Sequence, residues 1–164
     1  MTAAALPRAL AAAGALLFAG ALPASSQAQS NLLTDWSVPD MRQALVAAGA
    51  TVTKETTLKD GAPYLAAQTK DGLKFGVYGT VCSGEPKRCK GANLTATYTY
   101  DSDAAVDERE KLIDRSAVGA RNAGDNVLEV SRYLIFDEGV TRGNLRVNIE
   151  VFMDVATDIW NGEN

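Results

Sequence analysis

The stretch Cys82-Ser-Gly-Glu-Pro-Lys-Arg-Cys89 separates two runs of alternating apolar and polar residues. In the run before it, Leu73, Phe75, Val77 and Val81 alternate with Lys74, Gly76, Tyr78 and Thr80. In the run after it, Leu94, Ala96, Tyr98 and Tyr100 alternate with threonines. Alternation of this kind predicts two half-buried antiparallel strands joined by a short connection. The two cysteines would then lie across the end of one hairpin.

The first residues have the composition of a secretory signal peptide. Arg8 precedes an apolar run from Ala9 to Leu22, and Pro23 and a small-residue segment ending at Ala28 follow it. This order predicts export with cleavage after Ala28. A retained anchor helix is the alternative, but the apolar run is shorter than the ~20 residues that a membrane span needs. We therefore expect a signal peptide over residues 1–28, a bacterial periplasmic or secreted protein, and no membrane span after cleavage.

The two cysteines of an exported chain are expected to form a disulfide, since oxidising compartments keep such pairs closed. A bridge between Cys82 and Cys89 would close a small loop and stabilise the fold by roughly 2 to 3 kcal/mol. The alternative is a redox-active pair. Active dithiols usually have the spacing Cys-x-x-Cys at the start of a helix, which this pair lacks.

Composition excludes several function classes. The formal net charge of −4 gives no electrostatic attraction for nucleic acid. The chain has no histidine, which removes the commonest general base and the commonest metal ligand. No nucleophile-elbow motif or phosphate-binding glycine loop occurs in the sequence. We therefore expect a protein that is not an enzyme and that holds no metal or cofactor.

Helix signals appear on both sides of the hairpin. Ser37 has the properties of an N-cap, with Pro39 in the first turn and Asp40 placed for a capping box, and Gly49 provides a C-terminal stop. Ser102 is the next N-cap candidate, for a helix whose end is ambiguous because residues 116–121 also fit a short strand.

The remaining segments complete the element order. Residues 51–57, 64–69 and 127–136 have the β-branched and apolar character of strands. The stretch 141–160 alternates like a strand at first, but a stripe at helical spacing continues to its end and predicts a helix. Mainly antiparallel strands with helices at both ends indicate an α+β fold with a sheet of about five strands. We expect a flexible lead over 29–35 and a single domain over 36–164, and an unpaired edge strand would favour a homodimer.

These segments together resemble the YbjN-like family. The resemblance depends on the order of several short motifs: Gly61-Ala-Pro-Tyr64, Gly72-Leu-Lys-Phe75 running into Cys82, Cys89 ahead of Leu94-Thr-Ala-Thr-Tyr98, Gly124-Asp-Asn-Val-Leu-Glu129, and Glu138-Gly-Val-Thr-Arg-Gly-Asn-Leu145 before a terminal helix. It covers roughly residues 36–162. YbjN-like proteins are described as regulators of bacterial sensory transduction. The resemblance implies a twisted antiparallel sheet flanked by helices, similar to type III secretion chaperones, and it provides no catalytic residues.

Members of this family often carry an aromatic, Asn-rich helix followed by an Arg-Ala-Tyr-Leu strand. Here the corresponding stretch, residues 111–121, has no aromatic residue. The surface that this helix provides in other members is therefore not expected in this chain.

Three groups of residues are candidate partner-binding surfaces, and each also has an ordinary structural interpretation. They are the basic hairpin tip (Lys87, Arg88, Lys90), the tyrosines of one strand face (Tyr98, Tyr100) and an acidic helical stripe (Glu150, Asp154, Asp158). Solubility alone predicts charged tips and solvated helix faces. The tyrosines could equally pack beneath a helix.

The sequence therefore predicts an exported, non-enzymatic domain that binds an unidentified protein partner through the sheet or its edge. The alternative is a periplasmic carrier of a small molecule or lipid, with its ligand in a cleft between the sheet and the terminal helix.

Overall fold

The computed structural model describes residues 32–113 and 117–162. The signal peptide predicted over residues 1–28 lies outside these residues. Within them the chain forms eight β-strands and three α-helices. The strands are β1 (Leu32–Leu33), β2 (Thr51–Thr57), β3 (Pro63–Gln68), β4 (Lys74–Ser83), β5 (Arg88–Thr99), β6 (Gly119–Asn122), β7 (Val127–Ile135) and β8 (Val140–Thr141), and the helices are α1 (Val38–Ala47), α2 (Asp103–Leu112) and α3 (Arg142–Asn161).

Six strands form one antiparallel sheet, the main sheet, in the order β2-β3-β4-β5-β7-β6 among the described residues. Strands β2 to β5 are sequential neighbours, whereas β7 inserts between β5 and β6. The two short strands β1 and β8 pair separately. The predicted α+β class is confirmed, with six strands in the main sheet where about five were expected.

The starts of the helices match the capping signals. At α1 the Asp40 carboxylate accepts from the backbone N–H of Ser37 at 3.1 Å and from its hydroxyl at 2.6 Å. The Ser102 hydroxyl accepts from the N–H of Ala105 at the start of α2. Although partial burial favours the neutral acid, the hydrogen bonds from Ser37 and Arg142 hold the pKa of Asp40 below its ordinary value.

The three described helices pack on one face of the main sheet and enclose a single hydrophobic core. Alternate strand residues provide the sheet side of this core, among them Leu65, Val77, Leu94 and Leu128. Leu45 of α1 and the stripe Leu145, Ile149, Phe152, Ala156 and Ile159 of α3 provide the helix side. The helix predicted over 141–160 is thus confirmed, because its apolar stripe faces a sheet.

The disulfide closes the β4–β5 hairpin. Cys82 and Cys89 stand directly opposite each other, with their Cα atoms 4.0 Å apart. Cys89 is fully buried, and its backbone N–H and C=O both pair with Trp36 at 2.9 Å. The indole N–H of Trp36 donates to the Gly91 carbonyl. The bridge is therefore joined to the segment that precedes α1.

The structure adds detail to three sequence expectations. The lead expected to be flexible contains β1, and Trp36, the first residue of the expected domain, is fully buried. Residues 119–122, left ambiguous from sequence, form strand β6. Val81 was expected to point inward but is 69% exposed, because its φ of 51° breaks the alternation of β4 before the disulfide.

Candidate binding surface

The face of the main sheet opposite the helices is not covered by any described residue, and we call it the open face. A row of aligned residues crosses it from strand to strand. Tyr64 stands opposite Tyr78, Tyr78 opposite Asn93, and Asn93 opposite Tyr133. Neighbouring strands lie about 4.8 Å apart. The register therefore places three tyrosines and one asparagine in a line perpendicular to the strands.

The next row of the open face consists of small residues. It runs through Ala66, Gly76, Thr95, Ser131 and Gly119. Ala66, Gly76 and Thr95 of this row form the floor of a groove that crosses strands β3 to β5. The same alternation that fills the covered face with aliphatic side chains thus leaves only short side chains here.

Gly76 is required in this floor. A Cβ atom added to it would lie 2.7 Å from the Tyr64 ring and 3.1 Å from the Tyr78 ring. The two rings lean over the glycine, with centroids 4.8 Å apart and planes tilted by 45°. The missing side chain therefore lets two tyrosines lie close to the sheet and keeps part of each ring accessible.

The groove beside these rings has a volume of about 520 Å³. Its polar lining comes from strands β2 to β5: Thr53, Tyr64, Gln68, Lys74, Tyr78, Thr95 and Thr97. Every one of these side chains can donate a hydrogen bond. None of the described lining residues is Asp or Glu. We call this feature the tyrosine groove.

The Tyr64 hydroxyl lies near the Tyr78 hydroxyl in the groove. Burial, the nearby Tyr64 hydroxyl and the Glu129 carboxylate all raise the pKa of Tyr78 above its ordinary value. Tyr78 therefore keeps its proton at any physiological pH. Glu129 itself is held by Arg121 through two hydrogen bonds of 2.9 Å.

Thr95 lies in the groove floor, and its hydroxyl oxygen, Oγ1, is buried without a hydrogen-bond partner among the described residues. A buried hydroxyl without a partner costs about 1 to 3 kcal/mol. This atom is thus a donor and acceptor that the folded chain leaves unused.

The far end of the open face is more apolar. The Tyr133 side chain lies over Gly91, and a Cβ atom added to Gly91 would collide with its hydroxyl. The Tyr133 hydroxyl is 2.9 Å from Thr80 Oγ1. Tyr133, Ile135 and Val81 are all more than half exposed. This patch lies at the hairpin end of the open face, next to the disulfide.

The two edges of the main sheet differ. At the β6 edge, the N–H of Asn122 donates to Glu110 and its side-chain amide donates to Asp107, so α2 packs against this edge. The β2 edge has no strand beside it in the described part of the chain. It carries a register irregularity between Val52 and Lys54. An irregular, charged edge is a common way to prevent pairing with another chain.

The basic tip predicted from sequence is partly neutralised. Arg88 is paired with Asp35 at 2.7 Å and with Asp40 at 3.4 Å, and Lys90 is paired with Asp137 at 3.2 Å. Lys87 is exposed beside the β2–β3 turn. The tip remains a candidate surface, but it is not a patch of unopposed positive charge.

The other predicted site residues are separated from one another. Tyr98 is buried and donates to the Ala156 carbonyl at 2.7 Å, so it packs beneath α3. Tyr100 is half-buried in a cleft of about 380 Å³ with Arg109 and Trp160.

The acidic stripe lies on the outer side of α3. Glu150 is paired with Arg146 at 2.6 Å, whereas Asp154 and Asp158 are exposed. The three predicted groups therefore lie apart from one another and do not form one site.

The tyrosine groove was not predicted from sequence. Its signal was present in part, since the alternation put Gly76 and Tyr78 on the polar face of β4. The alignment with Tyr64 and Tyr133 depends on strand register, which the sequence did not give.

In the described part of the chain, no group of three or more His, Cys, Asp or Glu side chains could hold a metal ion. Across the same residues, no helix is both long enough and apolar enough to cross a membrane.

Comparison of this chain with models of known protein families, with curated proteins and with solved structures found no match.

Proposed function

We propose that the protein is an exported, non-enzymatic binding domain that holds a protein partner on the open face of the main sheet. The observation that carries this proposal is the aligned row Tyr64, Tyr78, Asn93 and Tyr133 on a face that no described helix covers. Tyrosine combines a large apolar ring with a polar tip and is enriched where proteins bind other proteins.

The rest of the open face supports the same function. Its side chains are largely Thr, Ser, Asn and Gly, which give adaptable hydrogen bonding around rigid tyrosines, as in antibody binding loops. The resemblance to YbjN-like regulators agrees with partner binding, and we propose membership of that family on the same basis. The Cys82–Cys89 bridge acts in this proposal as a structural staple suited to an oxidising compartment.

The titratable groups support a role other than catalysis. In the part of the chain that the structure describes, the groups whose pKa departs clearly from the ordinary value are tyrosines of the sheet or members of ion pairs, such as Glu55 with Arg42. Catalytic sites instead combine shifted groups in one cleft.

The carrier alternative has less support. The space between the main sheet and α3 is filled, with the Phe75 and Phe152 rings 5.5 Å apart and Tyr98 bonded to Ala156. The cleft at the end of α3, beside Trp160, is smaller than the tyrosine groove.

The test is site-specific photocrosslinking in the exporting cell. A photoreactive amino acid is placed at Thr97 on the open face or at Asp154 on the outer side of α3, both of which are exposed. We expect a defined protein adduct from Thr97 only, reduced when Tyr78→Ala is added. Purified partner should then bind wild-type protein and bind the Tyr78→Ala variant more weakly. Adducts of equal yield from both positions, or none from Thr97, would contradict the proposal.

A further inference from the structure

We propose that the tyrosine groove binds an extended, proline-rich segment of the partner in the polyproline II conformation. This inference rests on the proposed function, because it names the part of the partner that lies on the open face. It is carried by the hydrogen-bonding character, the aromatic geometry and the length of the groove.

Hydrogen-bonding character separates the candidate ligands. A polyproline II segment has no internal hydrogen bonds, and proline has no N–H, so such a segment offers mainly carbonyl acceptors. The groove can meet such acceptors, since each of its described polar side chains has at least one donor group and none is a carboxylate. The Glu129 carboxylate, on the residue opposite Thr97, is already held by Arg121. A donor-rich groove therefore complements a ligand that presents acceptors.

The paired tyrosines give the apolar part of the recognition. Aromatic-lined grooves are the usual docking site for proline-rich segments, whose preformed conformation loses little entropy on binding. The Tyr64 and Tyr78 rings stand 4.8 Å apart above Gly76, and the small floor row continues beside them. Because Tyr78 keeps its proton, its hydroxyl can donate a hydrogen bond to a ligand carbonyl.

The length of the groove sets the length of the segment. The lining runs from Thr53 on β2 to Thr97 on β5, which are consecutive strands of the main sheet. Four strands at about 4.8 Å spacing span roughly 14 Å. Polyproline II rises about 3.1 Å per residue, so about five residues fill the groove. A continuation over Asn93 and Tyr133 would extend the contact toward β7.

Two other ligands fit less well. A β-strand would add to a sheet edge, where backbone groups are unpaired, and the groove lies on a face. A sugar chain would also stack on tyrosines, but ionised carboxylates are the strongest acceptors for its hydroxyls, and the described lining has none.

The experiment measures fluorescence anisotropy of a labelled ten-residue oligoproline with the mature protein, and a Gly-Ser peptide of equal length is the reference. We expect saturable oligoproline binding at least tenfold tighter than that of the Gly-Ser peptide. Tyr78→Ala should weaken it by about tenfold or more, as for an aromatic hot spot, and Tyr78→Phe by a few-fold through loss of the hydroxyl. Tyr100→Ala is the matched control, because Tyr100 lies in the separate cleft beside Trp160.

The outcomes separate this inference from the proposed function. Equal binding of the two peptides, or oligoproline binding that resists Tyr78→Ala and Tyr78→Phe in folded protein, would overturn the inference. Binding of chitotetraose that depends on Tyr78, without oligoproline binding, would overturn it in favour of a sugar ligand. If the peptides fail while crosslinking from Thr97 succeeds, the open face still binds a protein, but through another element of that protein.

Discussion

The two faces of the main sheet come from alternate residues of the same strands, yet they are completed in different ways. On the covered face, Leu94 and its neighbours are fully buried beneath helices. On the open face, glycines let tyrosines lie against the sheet, as Tyr64 and Tyr78 do above Gly76. The covered face obtains its stability from burial of aliphatic and aromatic side chains. The open face is free to be specialised for binding, since little of the core depends on it.

The largest effect should come from the covered face. Phe152 is fully buried on α3 and meets the Phe75 ring edge to face. Phe152→Ala should lower the free energy of unfolding by about 3 to 5 kcal/mol, because it removes apolar burial and leaves a cavity. Val147→Ala, at an exposed position of the same helix, should change it by less than about 0.5 kcal/mol. Urea denaturation measures both, and similar losses would contradict the burial of Phe152 in the core.

Removal of the disulfide should give the next largest loss of stability. The double variant Cys82→Ala, Cys89→Ala should lose roughly 2 to 3 kcal/mol, because the unfolded chain is no longer constrained by the bridge. Reductant should destabilise the wild type by a similar amount and leave the double variant unchanged. Cys89 packs into the core rather than onto the open face, so oligoproline binding by folded variant should persist. Loss of that binding at full folding would show that the hairpin end belongs to the binding surface.

The covered face was largely predictable from sequence, and the open face was not. Local alternation placed Val77 and Leu94 inward, and the capping residues Ser37 and Ser102 located two helix starts. Strand β6 was ambiguous because Gly119-Ala-Arg-Asn122 has little apolar character. The tyrosine row needs β7 beside β5, a pairing between segments separated by α2 and β6. Hydrophobic patterns set which face a residue takes, but this long-range pairing sets which residues stand side by side.

Tyr98 offers a smaller test on the covered face, and its effect depends on pH. Tyr98→Phe removes the hydrogen bond to the Ala156 carbonyl and should cost about 1 kcal/mol near neutral pH. Burial, together with the nearby Tyr100, raises the pKa of Tyr98 above the ordinary 10.0. The folded state therefore keeps the proton longer than the unfolded state, and this stability is present below pH 10 and lost as pH rises above it.

Denaturation of both proteins at neutral pH and above pH 10 measures this difference. The stability of the wild type should fall more steeply with alkaline pH than that of Tyr98→Phe. Tyr100→Phe is the control, because Tyr100 is only half-buried and the Ala156 carbonyl accepts from Tyr98 instead. Parallel pH profiles for wild type and Tyr98→Phe would contradict the burial of this hydroxyl.

The smallest expected effect has the opposite sign and belongs to the open face. Thr95→Val replaces a buried hydroxyl that has no partner in the described chain with a methyl of similar shape, and it should raise the free energy of unfolding by about 0.5 to 1 kcal/mol. Thr97→Val, at an exposed position on the same strand, should leave stability nearly unchanged. A loss of stability in Thr95→Val would show that the hydroxyl has a partner in the folded protein. If Thr95→Val gains stability and also loses oligoproline affinity, the hydroxyl serves the ligand at a cost to the stability of the fold. This relation is expected where a sheet face is adapted for binding rather than for packing.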